Sequence, residues 1–309
     1  MEIDKTKFEW TDDDLTKFYS QIEYFKSFRN KPINQDNFFE AYKTCYLLFD
    51  KIPLASTRVD VNFILRGRPN LTEKHFKEEW EISYNSRNKH RIQLGRFNRP
   101  LDPMFYGSVP DELDDNHFGL VAAMECYKEL FTEENTTTNQ YITFGKWYLN
   151  THFEVVNLCN DEKCLSANPR LNISTKNHEE LINKSFPSKT AEFIIEFWKF
   201  LSQLAGNRYE NEHDHFITTA FICAIINYRK NEMNLETHGA IYPSTMTENN
   251  GLNVVLTPDT VDKFLNLKSA FMVKFYRNPA NFKNFGVEQC TEEATVINHE
   301  FSFVKRNNY

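Results

Sequence analysis

The spacing of apolar residues changes period once, sharply, and that change limits the folds open to this chain. From 12 to 29, Leu15, Phe18, Tyr19, Ile22 and Phe25 recur at helical spacing behind the acidic start Asp12-Asp13-Asp14. Asp36 can cap a second helix carrying Phe38, Phe39, Tyr42, Cys45 and Leu48. At Val59 the period drops to two: Val59, Val61, Phe63 and Leu65 share one face of a strand that delivers Arg66 and Arg68 at its end. The chain therefore divides into an N-terminal helical extension, 1–58, and a domain over 59–309.

The rest of the chain mixes strands and helices irregularly. Met104 to Ser108 reads as a short strand ending in a turn. Asp114 or Asp115 can cap the following helix, where Phe118, Val121, Met124 and Phe131 lie near one face. Tyr141–Phe144 and Phe153–Leu158 read as strands, joined by a hairpin connection or by more strand. Residues 160–188 are polar and irregular, with a short helix near Glu179–Lys184. Helices at Thr190–Leu204 and His213–Tyr228 precede strands at Gly239–Ser244 and Gly251–Leu256. Pro258 can start a helix through Leu267, and strand-like runs at Ala270–Tyr276 and Thr295–Val304 close the sequence. Without a regular βαβ repeat, the expected class is α+β.

Composition narrows the chemistry. Nine glycines in 309 residues is under half the usual roughly 7%, and no GxGxxG or GxxxxGK[ST] pattern occurs. Phosphates would have to be held by side chains, for which the planar fork of arginine is suited. Six of the thirteen arginines (66, 68, 87, 91, 96 and 99) fall within residues 66–99, a stretch of net charge +5. The chain as a whole carries −7, which argues against coating nucleic acid. No apolar run can span a bilayer, the start is unlike a signal peptide, and the six cysteines are scattered. Together these predict a cytoplasmic protein with reduced thiols and no membrane contact. Glu210 to His215 could suggest a metal, but it also makes an ordinary helix start and no matching ligand cluster appears elsewhere. No metal is expected.

Glu125 sits beside the apolar stripe of its helix, where a carboxylate is either a surface group or a pocket group. Ser244 follows Pro243 at the end of a strand. Arginines, an aromatic hydroxyl and a carboxylate within one strand, one turn and one helix could hold an anion and stabilise a cationic transition state.

These pieces also occur in a recognisable order. Leu65-Arg-Gly-Arg68, Gly95-Arg-Phe-Asn98, Phe105-Tyr-Gly-Ser108, Ala122-Ala-Met-Glu125, His215-Phe-Ile-Thr-Thr219 and Ile241-Tyr-Pro-Ser244 with Gly251-Leu-Asn-Val-Val-Leu256 resemble the successive signatures of the RES domain family. The resemblance covers about 60–270. It implies a fold like that of ADP-ribosyltransferase toxins and an activity that degrades NAD⁺ as substrate, with no further cofactor. On that basis Arg66 or Arg68, Tyr106, Glu125 and Ser244 correspond to the signature residues, with Arg96 and Asn98 in the GRFN turn. Glu125 would stabilise an oxocarbenium-like state or hold a ribose hydroxyl, Tyr106 would stack on nicotinamide, and Ser244 would bond its amide or a phosphate. The acceptor is left open: water, inorganic phosphate or a macromolecule. Several family members are toxins whose antitoxin covers the pocket, and the acidic run Asp111–Asp115 is either such a docking face or a helix start. This chain is far longer than the compact toxin members, and Thr219 stands where they usually carry another polar residue.

Overall fold

The computed structural model describes residues 11–70, 75–113, 118–131, 139–207, 211–249, 251–278 and 281–306. Asp114 and Asp115, expected to cap a helix, lie outside them. The helices are α1 (Asp12–Ser27), α2 (Gln35–Leu48), α3 (Glu79–Ile82), α4 (Phe118–Cys126), α5 (Glu162–Ala167), α6 (Pro169–Ser185), α7 (Ser188–Ala205), α8 (Glu212–Glu232) and α9 (Pro258–Phe264). The strands are β1 (Ser56–Val59), β2 (Phe63–Asn70), β3 (Phe105–Val109), β4 (Asn139–Leu149), β5 (Phe153–Asn157), β6 (Gly239–Pro243), β7 (Leu252–Leu256), β8 (Leu265–Asn278), β9 (Asn281–Gln289) and β10 (Ala294–Thr295). Parallel and antiparallel pairing both occur, and the class is α+β as expected.

The chain forms two compact units, one of residues 1–58, 90–102 and 154–243, the other of 59–89, 103–153 and 244–309. In the first, α1 and α2 lie against α7 and α8. Phe25 meets Phe197 edge-on at 5.9 Å, Phe38 meets Phe216 at 5.6 Å and Phe49 meets Phe221 at 5.7 Å. Each fully buried aromatic contributes about 1.5–3 kcal/mol, so the helical layer is held by its own apolar stripe. Asp214, 1% exposed, accepts from Arg29 Nε at 2.6 Å and from Asn207 Nδ2 at 2.8 Å. That is why a carboxylate is tolerated inside the start of α8. Strands β5 and β6 run parallel, with Val156 opposite Ala240.

Several sequence expectations need correction. The polar stretch 160–188 is helical almost throughout, as α5 and α6. Asp161 caps the first, accepting from Lys163 N at 3.0 Å, and Pro169 opens the second. The helix from Phe118 stops at Cys126, and a 3₁₀ turn, Lys128–Phe131, follows. The helix from Pro258 gives way to strand at Leu265. Strand β4 continues through Leu149, resolving the connection after Phe144 in favour of strand. Of the closing run Thr295–Val304 only Thr295 falls in a strand, β10, while the hairpin partner of β8 is the unforeseen β9.

In the second unit the strand order is β7-β3-β2-β4-β8-β10, with β9 also on β8, all antiparallel. Strand alternation gives this sheet two distinct faces. Leu65, Ile142, Phe144, Val273 and Phe275 form one apolar face, and α4 lies on it through Ala122 and Ala123. Close approach is permitted by Gly67: a Cβ there would stand 2.9 Å from Cys126 Sγ and 3.1 Å from the Ala122 carbonyl. Gly251 does the same at the other end. It has φ 137° and would place a Cβ 2.6 Å from Val121 Cγ2.

Candidate functional site

Glu125 is the penultimate residue of α4, half-buried, on the helix that lies over Leu65 and Gly67. Ser244 Oγ donates to Glu125 Oε1 at 2.6 Å, and Met246 N points at the same oxygen from 3.5 Å. Ser244 is fully buried and fixed by its backbone. Its N donates to the Gly251 carbonyl and its carbonyl accepts from Asn249 N, both at 2.8 Å. Glu248 and Asn249 both have positive φ, 54° and 65°, so the chain after Pro243 makes a tight turn that presents the Ser244 hydroxyl to α4.

Tyr106 pairs with Val255 and lies two residues from Ser108, which pairs with Leu65, so by alternation it shares the face on which α4 lies. On that face Ser108 donates to Asn253 Oδ1 at 2.8 Å, both residues being buried. Asn253 Nδ2 has no partner among the described residues. In the sequence Ser108 and Asn253 stand out only as members of strand motifs, and nothing in their spacing marks them as partners.

Arg66 and Arg68 are placed differently. They alternate with Leu65 and Gly67 and so leave β2 on the opposite face from α4. There the Arg66 guanidinium lies 4.9 Å over the Phe105 ring and donates to the Tyr106 carbonyl at 2.5 Å. Arg68 donates to the Glu81 carbonyl at the end of α3, and burial holds its guanidinium below the usual arginine range. The sequence-predicted set is thus split. Glu125, Ser244 and Tyr106 share a face, and the two arginines project from the other.

Arg96 and Asn98 belong to the first unit. The Gly95-to-Asn98 turn is closed by Gly95 N to Asn98 O at 3.0 Å, and Asn98 Nδ2 donates to the carbonyls of Gln93 and Arg99. Arg96 donates to the Ala205 carbonyl at the end of α7 and lies 5.7 Å from the Tyr242 ring centre. Thr218 and Thr219 of α8 donate to the carbonyls of Arg96 and Gly95. The second threonine therefore has a local task, tying the turn to the helix. Three motifs distant in sequence meet here, held by bonds to the chain itself.

Burial pushes the Cys126 thiol, beside Glu125 in sequence, up to about 12, against the opposing pull of the Arg66 charge. It is a packing thiol rather than a nucleophile. No helix among the described residues is long and apolar enough to cross a membrane. Scanned against protein-family models and searched against curated proteins, the chain finds no match.

Proposed function

We propose that this chain is an NAD⁺-consuming enzyme that cleaves the nicotinamide–ribose bond and passes ADP-ribose to phosphate or water. The observation carrying the reading is the 2.6 Å bond between Ser244 and Glu125, which joins two RES-like motifs 119 residues apart. Breaking the C1′–N1 bond sends its electron pair to nicotinamide and leaves positive charge on the ribose. Glu125 suits that charge twice over. Its carboxylate is negative, and it stands at the C-terminal end of α4, where the helix dipole is negative as well. Ser244 fixes Oε1, and Oε2 has no hydrogen bond among the described residues, leaving it for a ribose hydroxyl or the proton of an attacking water. Tyr106 supplies a ring on the same face for nicotinamide. A toxin role, an antitoxin partner and a cytoplasmic location belong to the same proposal and rest on the resemblance, as does ADP-ribosyl transfer to a macromolecule.

A second reading, a catalytically silent nucleotide- or partner-binding module, is favoured by Arg66 and Arg68. Both face away from α4 and are engaged with backbone carbonyls. The two separate in cells. Overexpression of the wild-type chain should deplete NAD⁺ and arrest growth, and Glu125→Gln should relieve both. Unchanged NAD⁺ with either chain favours the silent module.

A further inference from the structure

A cleft of about 340 Å³ opens beside α3 in the second unit, and nothing in the NAD⁺ reading uses it. It is lined by α3 with the residues that follow, by Asp262 of α9 and by the turn at Asn298–His299. That turn is rigidly made. Ile297 and Glu300 exchange backbone bonds at 2.9 and 3.0 Å, and Glu79 N donates to the His299 carbonyl at 2.8 Å.

Four carboxylates line the cleft, Glu78, Glu79, Asp262 and Glu300, with Arg87 as the guanidinium among them. Three are held at separate points around the wall. Glu78 accepts from Trp80 Nε1 at 2.7 Å, Glu79 meets His299 Nδ1 at 2.8 Å, and both Asp262 oxygens accept from Tyr84 at 2.9 Å. The Glu300 carboxylate has no hydrogen bond or ion pair among the described residues. Arg87 pairs with none of the four; its guanidinium lies 4.1 Å from the centre of the Trp80 ring. The Arg87 guanidinium thus already covers a face of this indole. Ser83 also lines the cleft. It is 7% exposed, and its hydroxyl has no partner among the described residues, leaving an acceptor for an N–H group.

We propose that this cleft binds an organic cation carrying two or more primary ammonium groups, whether a free polyamine or the lysine side chains of a basic peptide. Its volume has room for about ten waters, the scale of a small organic ligand rather than of a bare ion. Separated carboxylates and a buried hydroxyl suit several ammonium groups on one flexible chain.

The full-length chain is titrated with spermidine, with trilysine and with Mg²⁺ at matched ionic strength, following the indole N–H resonance of Trp80, assigned through Trp80→Phe. Saturable shifts with spermidine or trilysine, absent with Mg²⁺, are expected, and whichever is bound identifies the source of the cation. The paired change Glu300→Gln and Asp262→Asn should weaken binding at least tenfold, and Ser83→Ala should weaken it less. Both altered carboxylates lie at the rim, and an unchanged circular dichroism spectrum checks that the fold is kept. No saturable shift, an equal response to Mg²⁺, or binding indifferent to the paired change overturns the proposal. None of these outcomes depends on whether the chain consumes NAD⁺.

Discussion

Gly67→Ala tests how Glu125 is positioned. The new methyl would stand 2.9 Å from Cys126 Sγ, 3.1 Å from the Ala122 carbonyl and 3.2 Å from Phe144 Cε1, so three neighbours on two elements must yield. The Phe144 side is backed by Phe271 at 5.4 Å and Phe275 at 6.3 Å, which leaves α4 as the element that moves. Overpacking of this kind costs about 1–3 kcal/mol, and part of the cost is specific to the thiol contact. Replacing Cys126 by Ala removes the Sγ atom and the tightest approach. The double variant should therefore recover part of the loss, with a coupling of about 0.5–2 kcal/mol between the two positions. Urea unfolding followed by circular dichroism, with midpoints compared at constant slope, measures all four corners of the cycle. If Gly67→Ala leaves the midpoint unchanged, or the two substitutions are additive, α4 is not seated on β2 by this glycine and the argument for Glu125's position fails.

Other outcomes follow from the same contacts. Asp214→Ala should cost about 1–2 kcal/mol, because Asn207 loses its acceptor while Arg29, 42% exposed, can turn to water; no loss in urea unfolding would contradict this. Ser244→Ala should lower NAD⁺ turnover about 10²–10³-fold with little change in melting temperature, read by nicotinamide release and a thermal scan. Tyr84 is pushed up to about 12 by burial and by Asp262, above the value near 10 of an unfolded chain. Its contribution to stability is therefore whole below about pH 10 and lost as pH rises toward 12. Tyr84→Phe should flatten that alkaline decline in stability-versus-pH curves, and an unaltered curve would exclude the Asp262 contact as its source. Burial also raises the thiols of Cys45, Cys126 and Cys223, the last to about 11. At pH 8 these three should resist iodoacetamide in the native protein and react in urea, as mass spectrometry of the peptides would show.

Much of the fold was legible where the apolar pattern was strong. Helices α7 and α8 bury Phe197 and Leu201, and Phe216 and Phe221. The strand expected from Val59 is broken: Val59 ends β1 and Phe63 opens β2, so only Phe63 and Leu65 of its four apolar residues lie on β2, and Arg66 and Arg68 stand inside that strand rather than at its end. Helix α6 was not legible, because it buries only Leu171, Thr175 and Ile182 in seventeen residues, too sparse a stripe to stand out from a polar loop. Strand β9 escaped for a similar reason: its sequence, NFKNFGVEQ, is mostly polar and interrupted by glycine, and its partner β8 supplies the pairing. For the site, the resemblance named Glu125 and Ser244, and the structure brings them into contact. Arg66 and Arg68 were expected at the end of their strand, whereas inside β2 alternation puts them on the face opposite Leu65. What the sequence lacked was the side on which α4 lies, because that depends on packing against β4 and β8, far away in sequence. The arginines clustered in sequence make local contacts. Arg66 donates to a carbonyl, Arg87 lies over an indole face and Arg99 pairs with Asp102.

The central claim is that Glu125, held by Ser244, supports cleavage of NAD⁺. It is tested most directly by incubating the purified chain and its Glu125→Gln variant with NAD⁺, with and without phosphate, and resolving the products by mass. The account predicts release of nicotinamide by the wild-type chain and its loss in the variant. ADP-ribose-1″-phosphate formed only with phosphate would identify phosphorolysis, and ADP-ribose formed in either buffer would identify hydrolysis. Intact NAD⁺ with the wild-type chain in both buffers, or equal turnover by Glu125→Gln, would contradict it.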